Sequence, residues 1–396
     1  MKNIKSSEID FNQKIVLLRL DLNVPLDNGK ITDTNRIDKI IPTLKFLIEK
    51  NAKIIILSHV GRPKGKIVKK LSLEPICKNL SNKINKNINL IKSNPKKIKK
   101  QELFNDSSAN IVMLENIRFY KNEEEDDSIF AQYLAKLGDI YVNDAFSCSH
   151  RKHASVFSIT KFLPSFAGLQ LSLELTALEK ITKKIEKPIT CIIGGSKIST
   201  KINVINNLIP KFDNIVVVGG MANNILKYKK YPIGKSISEK GCDKIIEQIF
   251  YLSKKENCKI VYPLDVCVGK NLEDSSETKN LNEVLNDDLI LDIGPKTIKT
   301  IESIIDNSKT ILWNGPAGYF ENSNFSKGSL EIAKKIAKKN KLNEIYSVAG
   351  GGDTVAALNN FGLTNNFNFV STAGGAFLEF LEGKELPGIK ALNYYV

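Results

Sequence analysis

Arginine and histidine are scarce in this chain. Its 396 residues include 58 lysines and arginines, of which only five are arginine, and three histidines. All eight scarce side chains lie in the first 153 residues: Arg19, Arg36, His59, Arg62, Arg118, His150, Arg151 and His153. Lysine can supply generic positive charge, whereas the planar guanidinium group binds carboxylate or phosphate through paired hydrogen bonds. The scarce cations therefore indicate one anion-binding site, although arginine also serves in structural ion pairs.

Cysteine pairs and long apolar runs are also missing. The six cysteines form no CxxC pair and no other spacing typical of metal ligands, so we expect reduced, mostly buried thiols. No apolar run approaches the roughly 20 residues that a membrane-spanning helix needs. Residues 1–14 lack the apolar stretch of a secretion signal. We expect a cytoplasmic protein with no membrane partner.

The formal net charge of +15 raises the hypothesis of a nucleic-acid binder, because clustered lysines neutralise phosphates. The lysines are spread along the whole chain, however, and runs such as those in residues 92–100 and 334–339 are more often solvated faces. No basic strand rich in aromatic residues offers a stacking platform. We favour small-molecule substrates without a nucleic-acid partner and keep the non-enzymatic binder as an alternative.

The length and the hydrophobic pattern predict two α/β domains. Short β-branched runs alternate with helical stretches, which is typical of parallel sheets with helical crossovers. We predict first-half strands at residues 15–20, 54–58, 111–114 and 140–142. We predict second-half strands at residues 189–193, 215–218, 259–262, 310–313, 345–348 and 367–371. The leucine-rich segment 169–185 precedes Pro188 and is predicted to be an interdomain helix.

Polar or glycine-rich segments follow most of the predicted strands. In the first half they are RLDLNVP (19–25), SHVGRP (58–63), ENIRF (115–119) and NDAF (143–146). In the second half they are GGSK (194–197), GGMA (219–222), NGPAG (314–318), GGGDT (350–354) and TAGGA (372–376). Ligands of open α/β sheets bind beyond the carboxyl ends of the strands. Each half is therefore predicted to bind a ligand at one edge of its sheet.

The first-half segments predict a site for a phosphate or a phosphorylated carboxylic acid. Guanidinium groups bind the oxyanions, while Asp21 and Asn23 can accept hydrogen bonds from substrate hydroxyls. Taken alone, His59 is at least as well explained by a structural role, and Arg36 by a surface salt bridge. The functional prediction depends on the set of residues as a whole.

Two features beside this site are expected to be structural. Arg19 lies within or at the end of a predicted strand, so we expect it to support either the fold or the residues that contact the ligand, without contacting the ligand itself. The acidic run 123–127 is most simply explained as the solvated N-terminus of a helix, where the helix dipole favours negative charge.

The second-half segments predict a site for a magnesium nucleotide. Glycines at the ends of strands and the starts of helices form anion cradles, because backbone N–H groups point outward there. Asp353 in GGGDT could hold a Mg²⁺ ion that bridges nucleotide phosphates. Lys197 and Lys201 lie four residues apart at a helix start, so both ammonium groups can lie on one face.

Standard nucleotide motifs of other classes are absent. Gly234, Lys235 and Ser236 match the end of a P-loop, but residue 229 is lysine where the motif needs glycine. His150 and Arg151 are not followed by the aspartate of a protein-kinase catalytic loop. No GxGxxG follows the first strand of either half, which weighs against the other alternative, a nicotinamide dehydrogenase.

Nine ordered segments resemble the phosphoglycerate kinase family over essentially the whole chain: RLDLNVP, SHVGRPKG, ENIRF, NDAF, HRKHAS, GGSKIST, WNGPAGYFE, GGGDT and STAGGA. The resemblance implies two Rossmann-like domains with parallel sheets, joined by an interdomain helix, and a C-terminal segment that packs back on the first domain. The implied divisions are residues 1–168 with 380–396 for 3-phosphoglycerate, 169–186 for the helix and 187–379 for the nucleotide. Departures are small: Ala373 replaces the first glycine of the commoner STGGGA, and Ser196 the alanine of GGAK.

The resemblance also implies roles for individual residues. The implied substrate ligands are Asp21, Leu22, Asn23, Arg36, His59, Val60, Gly61, Arg62, Arg118 and Arg151, with His150 and His153 adding to the basic patch. The implied nucleotide ligands are Lys201, Gly219, Gly220, Asn314, Pro316, Glu321, Gly350, Gly351, Gly352, Asp353 and Thr354, with Asp353 holding Mg²⁺ through the nucleotide. The implied catalytic residues are Arg36, Lys197, Gly374 and Gly375.

The implied reaction moves a phosphoryl group reversibly between 1,3-bisphosphoglycerate and ADP, giving 3-phosphoglycerate and ATP, with Mg²⁺ as cofactor. In the direction that consumes ATP, the nucleophile is a carboxylate already ionised at neutral pH, so no general base is required. Catalysis then depends on in-line positioning and on neutralising the charge of the equatorial oxygens. Because the two ligands bind different implied domains, we expect a hinge motion to bring them together. A monomer is expected from the resemblance.

Overall fold

The computed structural model describes residues 2–5, 8–105 and 110–393. The chain forms two compact units, Met1–Leu175 with Glu385–Val396, and Thr176–Lys384. Each unit contains a six-stranded sheet in which all paired strands are parallel. The predicted α/β class with parallel sheets is therefore confirmed.

In the first unit, the carboxyl ends of the central strands form the predicted ligand edge of the sheet. The described strands of this unit are β1 (Ile15–Leu20), β2 (Leu26–Asp27), β3 (Lys30–Ile31), β4 (Lys53–Leu57), β5 (Asn89–Ile91), β6 (Ile111–Leu114), β7 (Ile140–Asp144) and β8 (Ser165–Ala167). The sheet order is β5-β6-β4-β1-β7-β8, and β2 pairs with β3 as a hairpin. The core strands are almost continuously apolar, as expected where both faces of a parallel sheet are covered. The segments that follow β1, β4 and β7 therefore lie side by side.

Helices of the first unit connect these strands. They are α1 (Asn35–Glu49), α2 (Glu74–Ile84), α3 (Lys121–Glu124) and α4 (Ser128–Ala135), and α5 (Leu169–Thr182) continues into the second unit. The N-terminus of α5 is held by two side chains: Asp144 accepts from Leu171 N–H at 2.9 Å, and Thr43 accepts from Leu169 N–H at 3.2 Å. The helix ends three residues before the predicted end at residue 185.

The second unit combines a parallel sheet with a small antiparallel one. Its strands are β9 (Ile189–Ile193), β10 (Asn214–Val217), β11 (Lys259–Val261), β12 (Asp265–Gly269), β13 (Glu277–Asn280), β14 (Leu289–Ile293), β15 (Thr310–Asn314), β16 (Tyr346–Gly350) and β17 (Phe369–Ser371). The parallel order is β11-β10-β9-β15-β16-β17, and the antiparallel order is β13-β12-β14. The remaining helices are α6 (Ile202–Leu208), α7 (Gly220–Tyr228), α8 (Asp243–Lys255), α9 (Pro295–Asp306), α10 (Lys327–Lys341), α11 (Gly352–Asn360), α12 (Gly375–Leu381) and α13 (Pro387–Lys390).

The sequence pattern does not predict β12, β13 and β14, nor the edge strands β5 and β8. β13 reads ETKN and exposes three of its four residues, so it lacks the apolar alternation that marks a strand. β5 and β8 have only three residues each. Short or polar strands of this kind are specified by their pairing partners rather than by their own composition.

The C-terminal helix α13 belongs to the first unit. Gly388 donates its backbone N–H to the carbonyl of Ser149 at 2.8 Å. A Cβ atom at this position would lie only 2.6 Å from Val156 Cγ1. The close approach of the two backbones therefore requires glycine.

Within the described part of the chain, no helix is both long enough and apolar enough to cross a lipid bilayer.

Asp288, Lys270 and Lys279 form an ion-pair cluster beside the antiparallel sheet. Asp288 is fully buried and lies 2.7 Å from Lys270 Nζ and 3.0 Å from Lys279 Nζ. Burial raises the pKa of its carboxyl group, but the hydrogen bonds from Lys270, Leu285 N–H and Lys279 outweigh it and lower the pKa from 3.8 to about 2. A lowered folded-state pKa stabilises the protein above pH 3.8, and that stabilisation is lost as the pH falls towards 2.

Asp288→Asn should therefore lower the melting temperature by roughly 3–8 °C at neutral pH, because it removes the nearest counter-charge of the buried Lys279 and one of the two counter-charges of the exposed Lys270. Thermal melts across the pH range should show the deficit shrinking below about pH 4 as the wild type loses the same charge. Asp287→Asn is the matched control, since Asp287 contacts Lys270 from an exposed position. Equal effects of the two substitutions would contradict this account.

Candidate functional site

Side chains after β1, β4 and β7 converge in the first unit. Arg36, in the first turn of α1, places Nη1 2.9 Å from Oδ2 of Asp21, the residue directly after β1. The Ser147 hydroxyl, beyond β7, donates to the same carboxylate. Asn23 Oδ1 accepts from the N–H of Gly61, beyond β4, at 2.8 Å. The salt bridge considered for Arg36 is thus present, and its partner is itself a predicted ligand.

Arginine side chains flank this group. Arg118 is mostly buried; its Nη1 donates to the carbonyl of Gly61 at 3.2 Å, and its Nε lies 3.6 Å from Glu124 Oε1. Gly61 has φ +65°, and a Cβ atom there would lie 2.7 Å from Leu71 Cδ2, so only glycine fits this turn. The next residue, Arg62, is exposed. The turn thus leaves the Arg62 side chain exposed, and the Arg118 guanidinium group fixes the turn through its hydrogen bond to the Gly61 carbonyl.

Leu22 and Val60 have side chains in the core, so only their backbones are available to a ligand. Leu22 donates its N–H to Ser58 Oγ at 3.2 Å. The carbonyl of Val60 accepts from Asn116 Nδ2 at 2.8 Å. These bonds hold the two loops that carry the other predicted ligands.

Arg19 and His59 form a buried pair beneath the site. Arg19 Nη2 lies 3.1 Å from His59 Nδ1, and Arg19 Nε donates to Ser155 Oγ at 3.0 Å. Both side chains are buried, Arg19 completely. Burial, followed by the charges of Arg19 and Arg118, holds the pKa of His59 well below its usual value. The complete burial of Arg19 agrees with the expectation that it does not contact a ligand itself.

Two expectations from the sequence are wrong in this region. Glu123 is fully buried rather than solvated, and it accepts from the Ser155 hydroxyl at 2.7 Å and from Ser155 N–H at 2.9 Å. His153 does not add positive charge, because burial and the nearby Arg118 lower its pKa to about 3.

Arg151 and His150 lie together, with Arg151 Nε donating to His150 Nε2 at 3.1 Å, and Arg151 is exposed.

A cavity of about 660 Å³ opens beside the first-unit loops. Its walls include Asn23, Val60, Gly61 and Leu71, together with Lys70. Three predicted ligands therefore face this cavity, whereas the predicted arginine and histidine ligands do not line it.

In the second unit, predicted ligands at the ends of β15 and β16 and before α6 are bonded to each other. Lys201 Nζ donates to Asn314 Oδ1 at 2.6 Å, and Asn314 Nδ2 donates to the carbonyl of Gly350 at 2.6 Å. Thr354 Oγ1 accepts from Gly315 N–H at 2.7 Å. Burial lowers the pKa of Lys201, and its ammonium group is held by Asn314. The chain of bonds fixes the orientation of a lysine directed at this edge of the sheet.

The glycines of the GGGDT turn differ in the space beside them. Gly351 has φ +99°, and a Cβ atom there would come within 2.6 Å of Asn314 Nδ2. A Cβ at Gly352, the first residue of α11, would meet nothing within 4 Å. Asp353 follows in the first turn of that helix with an exposed carboxylate.

A cavity of about 370 Å³ lies along the same unit. Of the predicted nucleotide ligands, it is lined by Gly219, Gly220, Pro316, Glu321 and Asp353. The predicted residues Lys201, Asn314, Gly350, Gly351, Gly352 and Thr354 lie outside its lining.

Apolar side chains that the sequence motifs do not identify complete this cavity. They include Ile237, Val266, Leu289 and Leu291. Ile237 lies outside every motif, and Val266, Leu289 and Leu291 belong to the antiparallel sheet that the pattern does not predict. A largely apolar cleft with a few polar groups is typical of a site for a flat organic ring.

The predicted catalytic residues of the second unit lie at loop and helix starts. Lys197 is exposed in the loop after β9. Gly374 has φ +51° and precedes α12, which begins at Gly375. Ala373, which departs from the family pattern, keeps its backbone N–H and donates it to Ser371 Oγ at 3.2 Å. In the described ranges, no group of three or more His, Cys, Asp or Glu residues could hold a metal ion alone.

The first unit thus places Arg36 and Arg118 beside the loops that follow β1 and β4, and the second unit has a cavity of about 370 Å³, lined mainly by apolar side chains, beside glycine turns. The family model described as phosphoglycerate kinase matches residues 6–384. The chain belongs to the phosphoglycerate kinase family, and it is an enzyme, a glycolytic kinase that uses ATP and ADP as substrates.

Known relatives are similar over their whole length. The chain is 47% identical over 395 residues to the phosphoglycerate kinase of Wolbachia pipientis wMel, covering 99% of both chains. It is 46% identical over 397 residues to that of Wolbachia sp. subsp. Brugia malayi (strain TRS), again with 99% of both covered. The solved phosphoglycerate kinase of Coxiella burnetii superposes with a TM-score of 0.90 at 40% identity, covering 98% of both chains.

Proposed function

We propose that residues 1–168 with 380–396 bind 3-phosphoglycerate or 1,3-bisphosphoglycerate, and that residues 187–379 bind Mg-ADP or Mg-ATP. Residues 169–186 would form the hinge helix between these domains. The observation that carries this proposal is the separation of two kinds of site within one chain. In the first unit Arg36 pairs with Asp21 and Arg118 donates to the nearby Gly61 turn, whereas an apolar cavity beside glycine turns lies in the second unit.

In the proposed acid site, Arg36, Arg62, Arg118 and Arg151 bind the phosphate and carboxylate oxygens, and His59 donates a further hydrogen bond. Asp21 and Asn23 bind the hydroxyl region, with backbone groups of Leu22, Val60 and Gly61. The ion pair between Arg36 and Asp21 supports this arrangement, because it holds one guanidinium group at the end of β1.

Arg62→Lys should raise the KM for 3-phosphoglycerate about tenfold while leaving the KM for Mg-ATP nearly unchanged. Lysine keeps the positive charge but loses the planar fork that binds two oxygens at once. Steady-state kinetics with each substrate varied in turn would measure the effect, and the nucleotide KM serves as the internal control. A larger rise in the nucleotide KM would contradict the assignment of Arg62.

In the proposed nucleotide site, the base lies in the apolar cavity beside Gly219, Gly220 and Pro316, and Glu321 binds the ribose. The amides of Gly350, Gly351 and Gly352, with Thr354, Lys201 and Asn314, hold the phosphates. Asp353 fits a Mg²⁺ ion that arrives with the nucleotide, because it is an exposed carboxylate that lines the cavity and Mg²⁺ usually binds one or two carboxylates plus phosphates. When bound, Mg²⁺ would neutralise phosphate charge.

Asp353→Asn should raise the free Mg²⁺ concentration needed for half-maximal activity about tenfold, because a neutral amide is a weaker magnesium ligand than a carboxylate. Activity measured against free Mg²⁺ at saturating substrates would test this, together with Mg-ADP binding by calorimetry. Asp243→Asn is the control, since Asp243 occupies the first turn of α8 and does not line the cavity. An unchanged magnesium requirement would overturn the assignment.

The proposed transfer needs no general base, because the attacking 3-phosphoglycerate carboxylate is already ionised. Closure of the two domains about the hinge helix would bring the reactants in line and exclude water. Lys197 and Arg36 would then bind the charge that develops on the moving phosphoryl group, and the N–H groups at Gly374 and Gly375 would donate to it.

A coupled assay of ATP-dependent phosphorylation of 3-phosphoglycerate tests the proposed function directly. We further propose a monomer that acts in the cytoplasm, where glycolysis runs, with small-molecule substrates and no nucleic-acid partner. Turnover that saturates with both substrates is expected. Nucleic-acid binding with a steep salt dependence that Mg-ADP does not displace would instead support the alternative of a nucleic-acid binder.

A further inference from the structure

Arg19 is the one arginine that the proposed function leaves without a role. Its side chain is completely buried, so it cannot contact a substrate. A buried guanidinium group is costly unless its N–H groups find acceptors. Its Nε donates to Ser155 Oγ at 3.0 Å, its Nη1 donates to the carbonyl of Leu20, and its Nη2 lies 3.1 Å from His59 Nδ1. One nitrogen of the guanidinium group is thus directed at a proposed substrate ligand.

A buried carboxylate holds Arg19 in place through Ser155. Glu123 is completely buried and accepts from the Ser155 hydroxyl at 2.7 Å and from the Ser155 N–H at 2.9 Å. Ser155 Oγ therefore accepts from Arg19 and donates to Glu123, which bridges the two opposite charges. The guanidinium group has little freedom to turn away from His59.

The contact between Arg19 and His59 determines where the imidazole proton lies. A guanidinium group has only donors, so His59 Nδ1 must offer its lone pair. A proton on Nδ1 would set two donors against each other at 3.1 Å. The single imidazole proton therefore lies on Nε2, and the ring is neutral.

The surroundings of His59 oppose a second proton. The charged or titratable groups around the ring are Arg19, Arg36, Arg118 and His153, with Cys148 Sγ 4.0 Å from Nδ1. Three of these groups are guanidinium cations, and the ring itself is buried. Burial and these charges together hold the pKa of His59 well below its usual value.

We propose that Arg19 is a positioning residue, which keeps His59 neutral with its proton on Nε2 and so gives the acid substrate a fixed, uncharged hydrogen-bond donor. The inference rests on the proposed role of His59 as a substrate ligand. A neutral donor adds no repulsion to the arginines that bind the same anion. Affinity for the acid substrate should consequently not depend on His59 protonation near neutral pH.

The wild-type chain offers a direct test, because it contains only three histidines. In ¹⁵N-labelled full-length protein, long-range proton–nitrogen correlation spectra distinguish the two neutral tautomers and the imidazolium form, and His59→Ala assigns the signal. We expect the Nε2–H tautomer throughout about pH 5 to 8. An Nδ1–H tautomer, or titration near the usual value of 6.5, would overturn the inference without any other variant.

Addition of 3-phosphoglycerate to the same sample tests the ligand role of His59 separately from the positioning role of Arg19. A shift of the His59 Nε2–H resonance is expected if the ring donates to the substrate. An Nε2–H tautomer that the substrate leaves unmoved would refute the ligand role of His59 and, with it, the positioning role of Arg19. An Nδ1–H tautomer would refute the inference about Arg19 alone.

Kinetics of variants supply the second test. Arg19→Gln should raise the KM for 3-phosphoglycerate about tenfold, as the loss of a hydrogen bond to a charged group typically does, with little change in the KM for Mg-ATP. In a His59→Ala background, the same substitution should add almost nothing. Tyr141→Phe is the matched control, because it removes a nearby buried hydrogen bond to the Ser155 carbonyl but leaves the contacts of Arg19 with Ser155 Oγ and His59 in place. Equal effects of Arg19→Gln and Tyr141→Phe, or full additivity with His59→Ala, would show a merely structural role.

Discussion

Lys197→Ala is expected to lower kcat by about 10²-fold or more, with much smaller changes in both KM values. The proposed partner of its ammonium group is charge that develops on the phosphoryl group during transfer, so most of the loss falls on the transition state. Its exposed position after β9 means that the substitution removes no core packing. Melting temperature should therefore stay near that of the wild type, which separates a catalytic loss from a folding defect.

Rapid-quench measurement of one turnover would assign the loss to the chemical step rather than to product release. Lys299→Ala, an exposed lysine in α9, is the control for removing a surface charge from the same unit. Turnover within about twofold of the wild type in Lys197→Ala would contradict the role assigned to this side chain.

Arg36→Ala is expected to lower kcat by about 10²-fold or more and also to raise the KM for 3-phosphoglycerate. Two losses combine in this variant: a transition-state charge partner disappears, and Asp21 loses the guanidinium that lies 2.9 Å away. The carboxylate keeps its hydrogen bond from Ser147, so the loop after β1 should remain folded. Arg36→Lys should recover part of the binding but little of the turnover, because one ammonium group cannot make two parallel hydrogen bonds.

Lys45→Ala, an exposed position in the same helix, is the matched control for the α1 surface. Steady-state kinetics in both directions, with circular dichroism to check folding, would measure these effects. If Arg36→Ala changed only the nucleotide KM, the placement of the acid substrate in the first unit would be contradicted.

Much of the fold was accessible from the sequence because its main strands are unambiguous. The runs that form β1, β6 and β9 are strongly apolar and are bounded by turn residues, so their limits are predicted without error. The strands β12 to β14 were not accessible, because β13 is polar and largely exposed, and the apolar residues of β12 and β14 do not specify their antiparallel pairing. The strands of a partly exposed antiparallel sheet need not show a continuous apolar run or a regular alternation of apolar and polar residues, which are the patterns used to predict strands.

The candidate site likewise contains residues that the sequence predicts and residues that it does not. Arginines are scarce and glycine turns follow successive strands, so residues such as Arg36 and Asp353 could be proposed as ligands from the sequence, and these assignments stay predictions. The apolar cavity walls, including Ile237 and Leu289, look like core residues in a sequence, and only folding places them around a cleft. Glu123 is an acidic residue that the sequence wrongly assigns to the surface, because its acidic neighbours are typical of a solvated helix start. In the structure its carboxylate is buried and accepts a hydrogen bond from Ser155.

The central claim is that one unit binds the acid and the other binds the nucleotide. A crystal structure of the full chain with 3-phosphoglycerate and Mg-ADP bound would test it most directly. The account predicts the acid against Arg36, Arg62 and Arg118, and the adenine ring in the cavity beside Gly219 and Gly220. Density for either ligand in the opposite unit, or for the acid away from the arginines, would contradict it.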